Sequence, residues 1–247
     1  MEIRKATAEQ RLEEEQSVST IERRYFQSEA RATKGEGGEM RIGGYGAIFN
    51  KYTNMGWYAE VVMPGFFDGI KDDRCACLFN HDSNVVLGRK KNDTLTLKID
   101  PAGLDYSAKL PDHRADVYEL VIGGYIYESS FAFTTLKTTW EEVDRSLLAG
   151  HLSEADLDQL SYGGKVSVRK LEKGRELFDV SPVTYAAYEG TTTDTRIARR
   201  SFDAWRSEQK EITPSPAEIR QPAEKEGETD NENHRARLLE AIERAAK

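Results

Sequence analysis

The sequence predicts a mainly β fold with packing helices, in the α+β class, arranged as a barrel or a sandwich. Short strand-like runs recur at close intervals between residues 58 and 200, and most are joined by Gly, Asp and Pro. Helical patterns are fewer, which argues against a parallel doubly wound sheet. The 247 residues suffice for one sizeable domain with extended tails, and two separate cores are not expected.

Both ends of the chain are predicted to lie outside the folded domain, which spans residues 21–203. Residues 1–20 are charged and contain almost no large apolar side chains, so we expect a mobile or weakly helical head. Residues 204–247 contain several prolines and a Glu/Lys-rich stretch. They are predicted to be a charged linker that ends in a short amphipathic tail helix at residues 235–246.

The strand candidates begin with a hairpin, in which a glycine-rich break at residues 34–38 separates the first two runs. The later runs are bounded by similar turn signals. In chain order the predicted strands are residues 24–30, 40–50, 60–62, 74–79, 94–99, 104–110, 126–136, 165–170 and 176–183.

Two helices are predicted to pack on the strands. The first runs from a cap at Asp112 to Ile122 and ends at Gly123. The second begins at Ser153, with Asp156 at its third helical position. Their apolar faces are Val117, Leu120 and Val121 in the first helix, and Leu157 and Leu160 in the second.

Composition argues against several classes of function. The net charge is −8 and no long Lys/Arg block occurs, so direct binding to nucleic acid is not expected. The chain has no signal-peptide pattern and no run of about eighteen apolar residues, so we expect a soluble protein without membrane contact. Gly43-Gly44-Tyr45-Gly46 lacks the spacing of a phosphate or dinucleotide loop, and no cofactor is expected.

The two cysteines, Cys75 and Cys77, lie one residue apart, a spacing that rarely closes a relaxed disulfide within a strand. This favours a reducing cytoplasm. Together with His81 they also resemble part of a zinc site, but closed zinc sites usually have four ligands and the chain lacks a second cysteine pair. We interpret both cysteines as buried strand residues and keep a metal-dependent hydrolase as a weaker alternative.

Among the four histidines, His81 has the setting that best suits catalysis. It follows an apolar run directly, within Asn80-His81-Asp82, where the end of a strand can hold an imidazole at the rim of a cleft. Capping and hydrogen bonding in a loop are commoner uses of such a histidine, so both interpretations stay open.

Ser130 lies in a run whose period assigns alternate residues to opposite faces of a strand. Tyr127, Ser129, Phe131 and Phe133 then form the core side. Ser130 falls on the other side beside Ala132, a small neighbour that leaves room for a substrate backbone. The alternative is that Ser130 and Ala132 simply occupy the solvated side of an amphipathic strand.

A serine–histidine pair needs an acceptor on the second imidazole nitrogen to fix the tautomer and stabilise the imidazolium. Asp179 is the preferred candidate, because a carboxylate between Phe178 and Val180 is costly to bury unless it is paired. An outward-facing position on a strand explains it equally well. Glu60, His113 and His151 remain substitutes.

Several segments, taken together and in order, resemble the prohead maturation serine proteases of tailed bacteriophages, of the HK97 type, which are related in fold to the herpesvirus assemblins. Asn80-His81-Asp82, Ser130-Phe131-Ala132-Phe133 and Val180-Ser181-Pro182-Val183 carry most of this resemblance. The full set of segments is residues 22–26, 44–50, 62–67, 78–82, 87–89, 94–95, 103–104, 124–133 and 179–184.

The resemblance implies an assemblin-like closed or partly closed β-barrel with helices around it, and makes residues 21–203 a protease domain. It implies that His81 is the catalytic base and Ser130 the nucleophile. The family usually has Glu where this chain has Asp179, so the orienting role of Asp179 departs from the pattern. Ala186-Ala187-Tyr188 replaces the usual Pro-Ala-Tyr, and residues 143–164 are interpreted as an insertion.

The function implied is that of a serine endopeptidase that processes the major capsid protein or its scaffold region inside the immature phage head, in the host cytoplasm. Such enzymes commonly also cleave themselves, and the head and tail of this chain are candidate sites. An oligomer is possible. The main alternative is a non-catalytic, protease-like scaffold or chaperone for capsid assembly that binds capsid subunits through its tail helix.

Overall fold

A computed structural model describes residues 20–26, 30–184 and 192–212. Strands are the dominant elements, as the sequence predicts. They are β1 (Glu22–Phe26), β2 (Arg31–Lys34), β3 (Met40–Ile48), β4 (Tyr52–Asn54), β5 (Ala59–Val62), β6 (Ala76–Phe79), β7 (Asp82–Arg89), β8 (Leu95–Asp100), β9 (Gly103–Lys109), β10 (Glu128–Asp144) and β11 (Lys165–Val183). The α-helices are α1 (Ala115–Ile122), α2 (Glu154–Leu160) and α3 (Thr192–Ile212), and short 3₁₀ helices cover Lys90–Asn92, Asp112–Arg114 and Arg145–Leu148.

The strands form two sheets. The larger, sheet A, has seven strands, with the order β1-β10-β11-β5-β4 and with β6 paired to both β11 and β7. The smaller, sheet B, has four strands in the order β2-β3-β9-β8. Strand β11 organises sheet A, because it runs antiparallel to β10 along one side and parallel to β5 and β6 in succession along the other.

The mainly β, α+β class is confirmed, but the described sheets do not close into the barrel that the resemblance implies. Within the described residues, the ladder of sheet A ends at β1, β4 and β7, and that of sheet B ends at β2 and β8. The physical reason is the length of β11, which takes β5 and β6 at different points along one side. Sheet A therefore branches instead of curving round to close.

An aromatic core lies on the face of sheet A that is opposite the candidate site. Phe131 and Phe133 of β10 are both wholly buried, with ring centroids 4.5 Å apart, and Phe66 packs edge-to-face on Phe133. Side chains of sheet B, including Ile42 and Tyr106, belong to the same cluster. Burial of this apolar area between the sheets is the main force that holds β10 in place.

The long β10–β11 hairpin extends beyond the strands predicted from the sequence. Residues 143–164, interpreted as an insertion, contain the end of β10, the 3₁₀ turn Arg145–Leu148 and α2. Helix α2 begins with the predicted cap, since Ser153 and Asp156 form a reciprocal capping box. Its Leu157 and Leu160 are buried in a second apolar cluster with Leu148, Val166 and Val168.

Other sequence predictions need correction in detail. Strands β2, β4 and β7 were not predicted, and the first hairpin joins β2 to β3, whereas β1 pairs with β10. Asp112 begins a 3₁₀ turn without making a side-chain cap. In α1 the buried residues are Val117, Tyr118 and Val121, whereas Leu120 is partly exposed. Positions 117, 118 and 121 lie on one side of a helix, so the buried face is displaced from Leu120 towards Tyr118.

Helix α3 extends through residue 203, where the sequence placed the end of the folded domain. Its Phe202 and Trp205 pack on Tyr58 and Trp140, with the two indole rings nearly parallel and 5.1 Å apart. The chain divides into two compact units, residues 1–206 and 207–247. The predicted head at residues 1–19 and the predicted tail helix at residues 235–246 lie outside the described residues. Of the helices described, none is long and apolar enough to span a bilayer.

Candidate active site

His81 lies in the tight turn that joins β6 to β7. Phe79 pairs with Asp82 across this turn, so Asn80 and His81 are its two central residues. Both have left-handed backbone conformations, with φ of 52° and 58°, as in a type I′ hairpin turn. Such a conformation costs about 1–2 kcal/mol for a residue other than glycine, so surrounding contacts must hold this turn in place.

Ser130 lies on β10, between two neighbouring strands of sheet A. It pairs with Tyr25 of β1 on one side and with Ser181 of β11 on the other. Directly paired residues point to the same face of a sheet, so Tyr25, Ser130 and Ser181 form one row. Asp179 belongs to the next row on this face, where it pairs with Ala132.

Two short hydrogen bonds link His81, Ser130 and Asp179. The Nε2 atom of His81 lies 2.6 Å from Oγ of Ser130, and its Nδ1 atom lies 2.6 Å from Oδ1 of Asp179. An ionised carboxylate can only accept, so Nδ1 carries the proton and leaves Nε2 as the acceptor for the serine hydroxyl. The side chains of His81 and Asp179 are only 7% and 8% exposed, which keeps water from competing for these bonds.

Ser181 and Tyr25 complete the surroundings of the imidazole. The buried Ser181 hydroxyl donates a 2.7 Å hydrogen bond to Oδ1 of Asp179, and its oxygen lies 3.3 Å from Nδ1 of His81. The ring of Tyr25 is nearly perpendicular to that of His81, with centroids 5.7 Å apart. The imidazole is therefore held by side chains from β1, β10 and β11.

The expected open face around Ser130 is wrong. Ser130 is 0% exposed and Ala132 is 1% exposed, because His81 covers the serine and neighbouring strands flank it on both sides. Tyr127 was assigned to the core side but is 55% exposed, since it precedes β10 and does not follow its alternation. Ser129 does face the core, where its hydroxyl lies 3.1 Å from that of Tyr106.

The substitutes considered for Asp179 lie elsewhere. The carboxylate of Glu60 pairs with the guanidinium groups of Arg24 and Arg169. His151 packs its ring against Tyr52, and His113 belongs to the 3₁₀ turn before α1. Of the acceptors weighed from the sequence, Asp179 is the one that contacts His81.

Glu60 belongs to a buried cluster of four charges on the other face of β1, together with Glu22, Arg24 and Arg169. Burial alone raises the pKa of Glu22, but the charges of Arg24 and Arg169 outweigh that effect and lower the pKa from 4.5 to about 2. The positive and negative charges balance. The cluster joins β1, β5 and β11, and so stabilises the strands around the candidate site.

The cysteines do not form the alternative metal site. Burial raises the pKa of Cys75 to about 12, with a further contribution from the charge of Asp179, and burial also raises the pKa of Cys77. Both thiols therefore stay protonated at neutral pH. Within the described residues no group of three or more His, Cys, Asp or Glu side chains is arranged to hold a metal ion, so Cys75, Cys77 and His81 do not converge.

Sequence reasoning did not identify Ser181 or Asn80 as parts of the site. Strand alternation would have placed Ser181 on the same face as Asp179, two residues away. Asn80-His81 between two apolar runs also indicates a tight hairpin turn, because asparagine is favoured in the left-handed positions of such turns. The contact of Tyr25 with His81 depends on the pairing of β1 with β10, which the sequence does not specify.

Comparison with known proteins identifies a family. A family model described as caudovirus prohead serine protease matches residues 26–208, which is well over half of the chain and includes His81, Ser130 and Asp179. Searches of curated proteins and of solved structures found no significant match.

Proposed function

The chain belongs to the caudovirus prohead serine protease family, and on that premise we propose that it is a serine endopeptidase with Ser130 as nucleophile, His81 as general base and Asp179 as orienting acid. The observation that carries this proposal is the continuous hydrogen-bonded chain from Ser130 Oγ through both nitrogens of His81 to Asp179. A serine hydroxyl is a weak nucleophile unless a base of this kind takes its proton.

In the proposed mechanism, Nε2 of His81 accepts the proton of Ser130 while Oγ attacks the carbonyl carbon of the scissile peptide bond. Asp179 keeps the proton of the imidazole on Nδ1 and stabilises the imidazolium that forms. His81 then donates the Nε2 proton to the leaving amine, which gives an acyl-enzyme. Water attacks the ester with His81 again as base, releases the new carboxylate and returns the proton to Oγ of Ser130.

The burial of Ser130 places a condition on this mechanism. A peptide carbonyl must come within about 3 Å of Oγ, yet Ser130 has no exposed surface. Substrate binding therefore has to displace groups that now cover the serine. His81, Ser130 and Asp179 are already at the distances that the proposed reaction needs. Displacement of the covering groups would control whether substrate reaches Ser130.

The family supports a protease role in the prohead. We propose that the substrate is the major capsid protein or its scaffold region, cleaved inside the procapsid in the host cytoplasm. We also propose cleavage of the chain itself, within residues 1–20 or 213–247, whose composition suits an extended substrate segment.

The competing candidate is a non-catalytic assembly scaffold, which the complete burial of Ser130 favours. Co-expression with the major capsid protein of the same phage separates the two functions. The protease proposal expects new capsid-protein termini, identified by mass spectrometry, that disappear in the His81→Ala variant. The scaffold alternative expects an intact capsid protein with either chain.

A further inference from the structure

We propose that Asn80 is a positioning residue that holds the His81 turn on β11, the strand that also carries Asp179. This inference rests on the proposed function of His81, but its structural part can be tested without catalysis. The role concerns the left-handed turn, a backbone conformation that is uncommon for residues other than glycine.

Asn80 makes three hydrogen bonds to the end of β11. Its backbone N–H donates to the carbonyl of Pro182 at 3.1 Å. Its side-chain Oδ1 accepts from the backbone N–H of Thr184 at 2.8 Å, and its Nδ2 donates to Oγ1 of Thr184 at 3.1 Å. The amide side chain thus satisfies one donor and one acceptor of the same residue, which fixes both its position and its orientation.

These bonds explain how His81 reaches Asp179 at the right distance. Asp179 is fixed by its pairing with Ala132 on β10 and with Ala76 on β6. His81 follows Asn80 directly, so the Asn80–Thr184 contact holds the imidazole beside β11, the strand that carries its acceptor Asp179. Without the contact, rotation of the turn would move the ring away from Asp179 and Ser130 together.

Asn50 provides a matched control. It is also an asparagine with positive φ, 57°, but it is exposed and its side chain has no hydrogen bond to any residue described here. Asn50→Ala therefore measures the cost of a left-handed alanine alone. Thr184→Val removes the Oγ1 acceptor and leaves the turn sequence intact, so it tests the contact from the other side and serves if Asn80→Ala does not fold.

The first measurement is the imidazole N–H proton of His81 in NMR spectra of the full chain labelled with ¹⁵N-histidine, assigned with His81→Ala. The hydrogen bond to Asp179 is expected to deshield this proton strongly and to slow its exchange. We expect Asn80→Ala to abolish the signal or to speed the exchange of this proton at least about tenfold. Thr184→Val should have an intermediate effect, and Asn80→Asp should restore part of the signal. Asn50→Ala should leave the signal unchanged. An unchanged signal in folded Asn80→Ala or Thr184→Val would overturn the inference.

The second measurement is the rate of capsid-protein cleavage on co-expression. A displaced base is expected to lower the rate about 10- to 100-fold in Asn80→Ala, and Asn50→Ala is expected to cleave at the parental rate. If the parent shows the NMR signal, Asn80→Ala loses it and the parent cleaves nothing, the protease proposal fails and the positioning role stands. If the parent cleaves and Asn80→Ala cleaves equally fast, the positioning role fails and the protease proposal stands.

Discussion

His81 Nδ1 lies 2.6 Å from Oδ1 of Asp179, although 98 positions of the chain separate the two residues. The contact exists because β6 runs parallel to β11, and the turn that follows β6 bonds to Pro182 and Thr184 near Asp179. An aspartate is long enough here because both backbones are brought close together. Its side chain reaches the imidazole although it is one methylene shorter than the glutamate that the resemblance leads one to expect.

Asp179→Asn is expected to lower the cleavage rate by about three to four orders of magnitude with little loss of stability. The amide can donate to Nδ1, which favours the wrong tautomer and leaves Nε2 protonated and unable to accept from Ser130. Rates of capsid-protein cleavage and thermal unfolding check both parts. Asp179→Glu, which keeps the charge but adds a methylene to a 2.6 Å contact, should retain more activity than the asparagine variant.

Asp179→Asn activity equal to that of the parent would assign the orienting role to another group.

Ser181→Ala is expected to lower the cleavage rate about tenfold. The substitution removes the 2.7 Å hydrogen bond that Oδ1 of Asp179 accepts, and so lets the carboxylate rotate while its charge remains. The reduction should appear in kcat more than in KM, since Ser181 is buried beneath the imidazole. Ser107→Ala on sheet B is the control and should cleave at the parental rate. A cleavage rate of Ser181→Ala equal to that of the control and the parent would argue against a role for Ser181.

Glu22→Gln is expected to destabilise the protein at neutral pH by about 3 kcal/mol, because it leaves the buried Arg24 and Arg169 with one carboxylate, Glu60. The pKa of Glu22 falls from 4.5 to about 2 on folding, so its stabilising effect is present above pH 4.5 and is lost as the pH falls towards 2. The difference in unfolding free energy between parent and variant should therefore shrink over that range. Urea unfolding at successive pH values measures it.

The exposed Glu154, with 78% of its side chain accessible, provides the matched glutamate control. Glu154→Gln should change stability by less than about 1 kcal/mol at every pH. A parent–Glu22→Gln difference that is constant from pH 5 to pH 2 would contradict the account of the cluster.

The sequence predicted local features well where the signal was local. Strand alternation marked Phe131 and Phe133 as core residues, and the cap at Ser153 located α2. The Asn80-His81-Asp82 segment was expected at the end of a strand, and it is the turn between β6 and β7. Each of these features depends on neighbours within a few residues.

Contacts between residues far apart in the sequence could not be predicted from these local patterns. Glu60 was a reasonable substitute for Asp179 from its residue type, but its partners Arg24 and Arg169 come from distant strands. Ser130 was expected on an accessible face, because alternation distinguishes two faces but does not show that both are covered. The branching of sheet A follows from which strands pair with β11.

The central claim is that Ser130 is the nucleophile, and the neighbouring serine allows a direct test. Ser129 lies one residue away but faces sheet B, where its hydroxyl contacts that of Tyr106. The measurement is the rate at which the co-expressed capsid protein is cleaved by the parent, Ser130→Ala and Ser129→Ala chains, followed by mass spectrometry. We predict at least about a thousandfold loss for Ser130→Ala and near-parental cleavage for Ser129→Ala; cleavage by Ser130→Ala at the parental rate would contradict the claim.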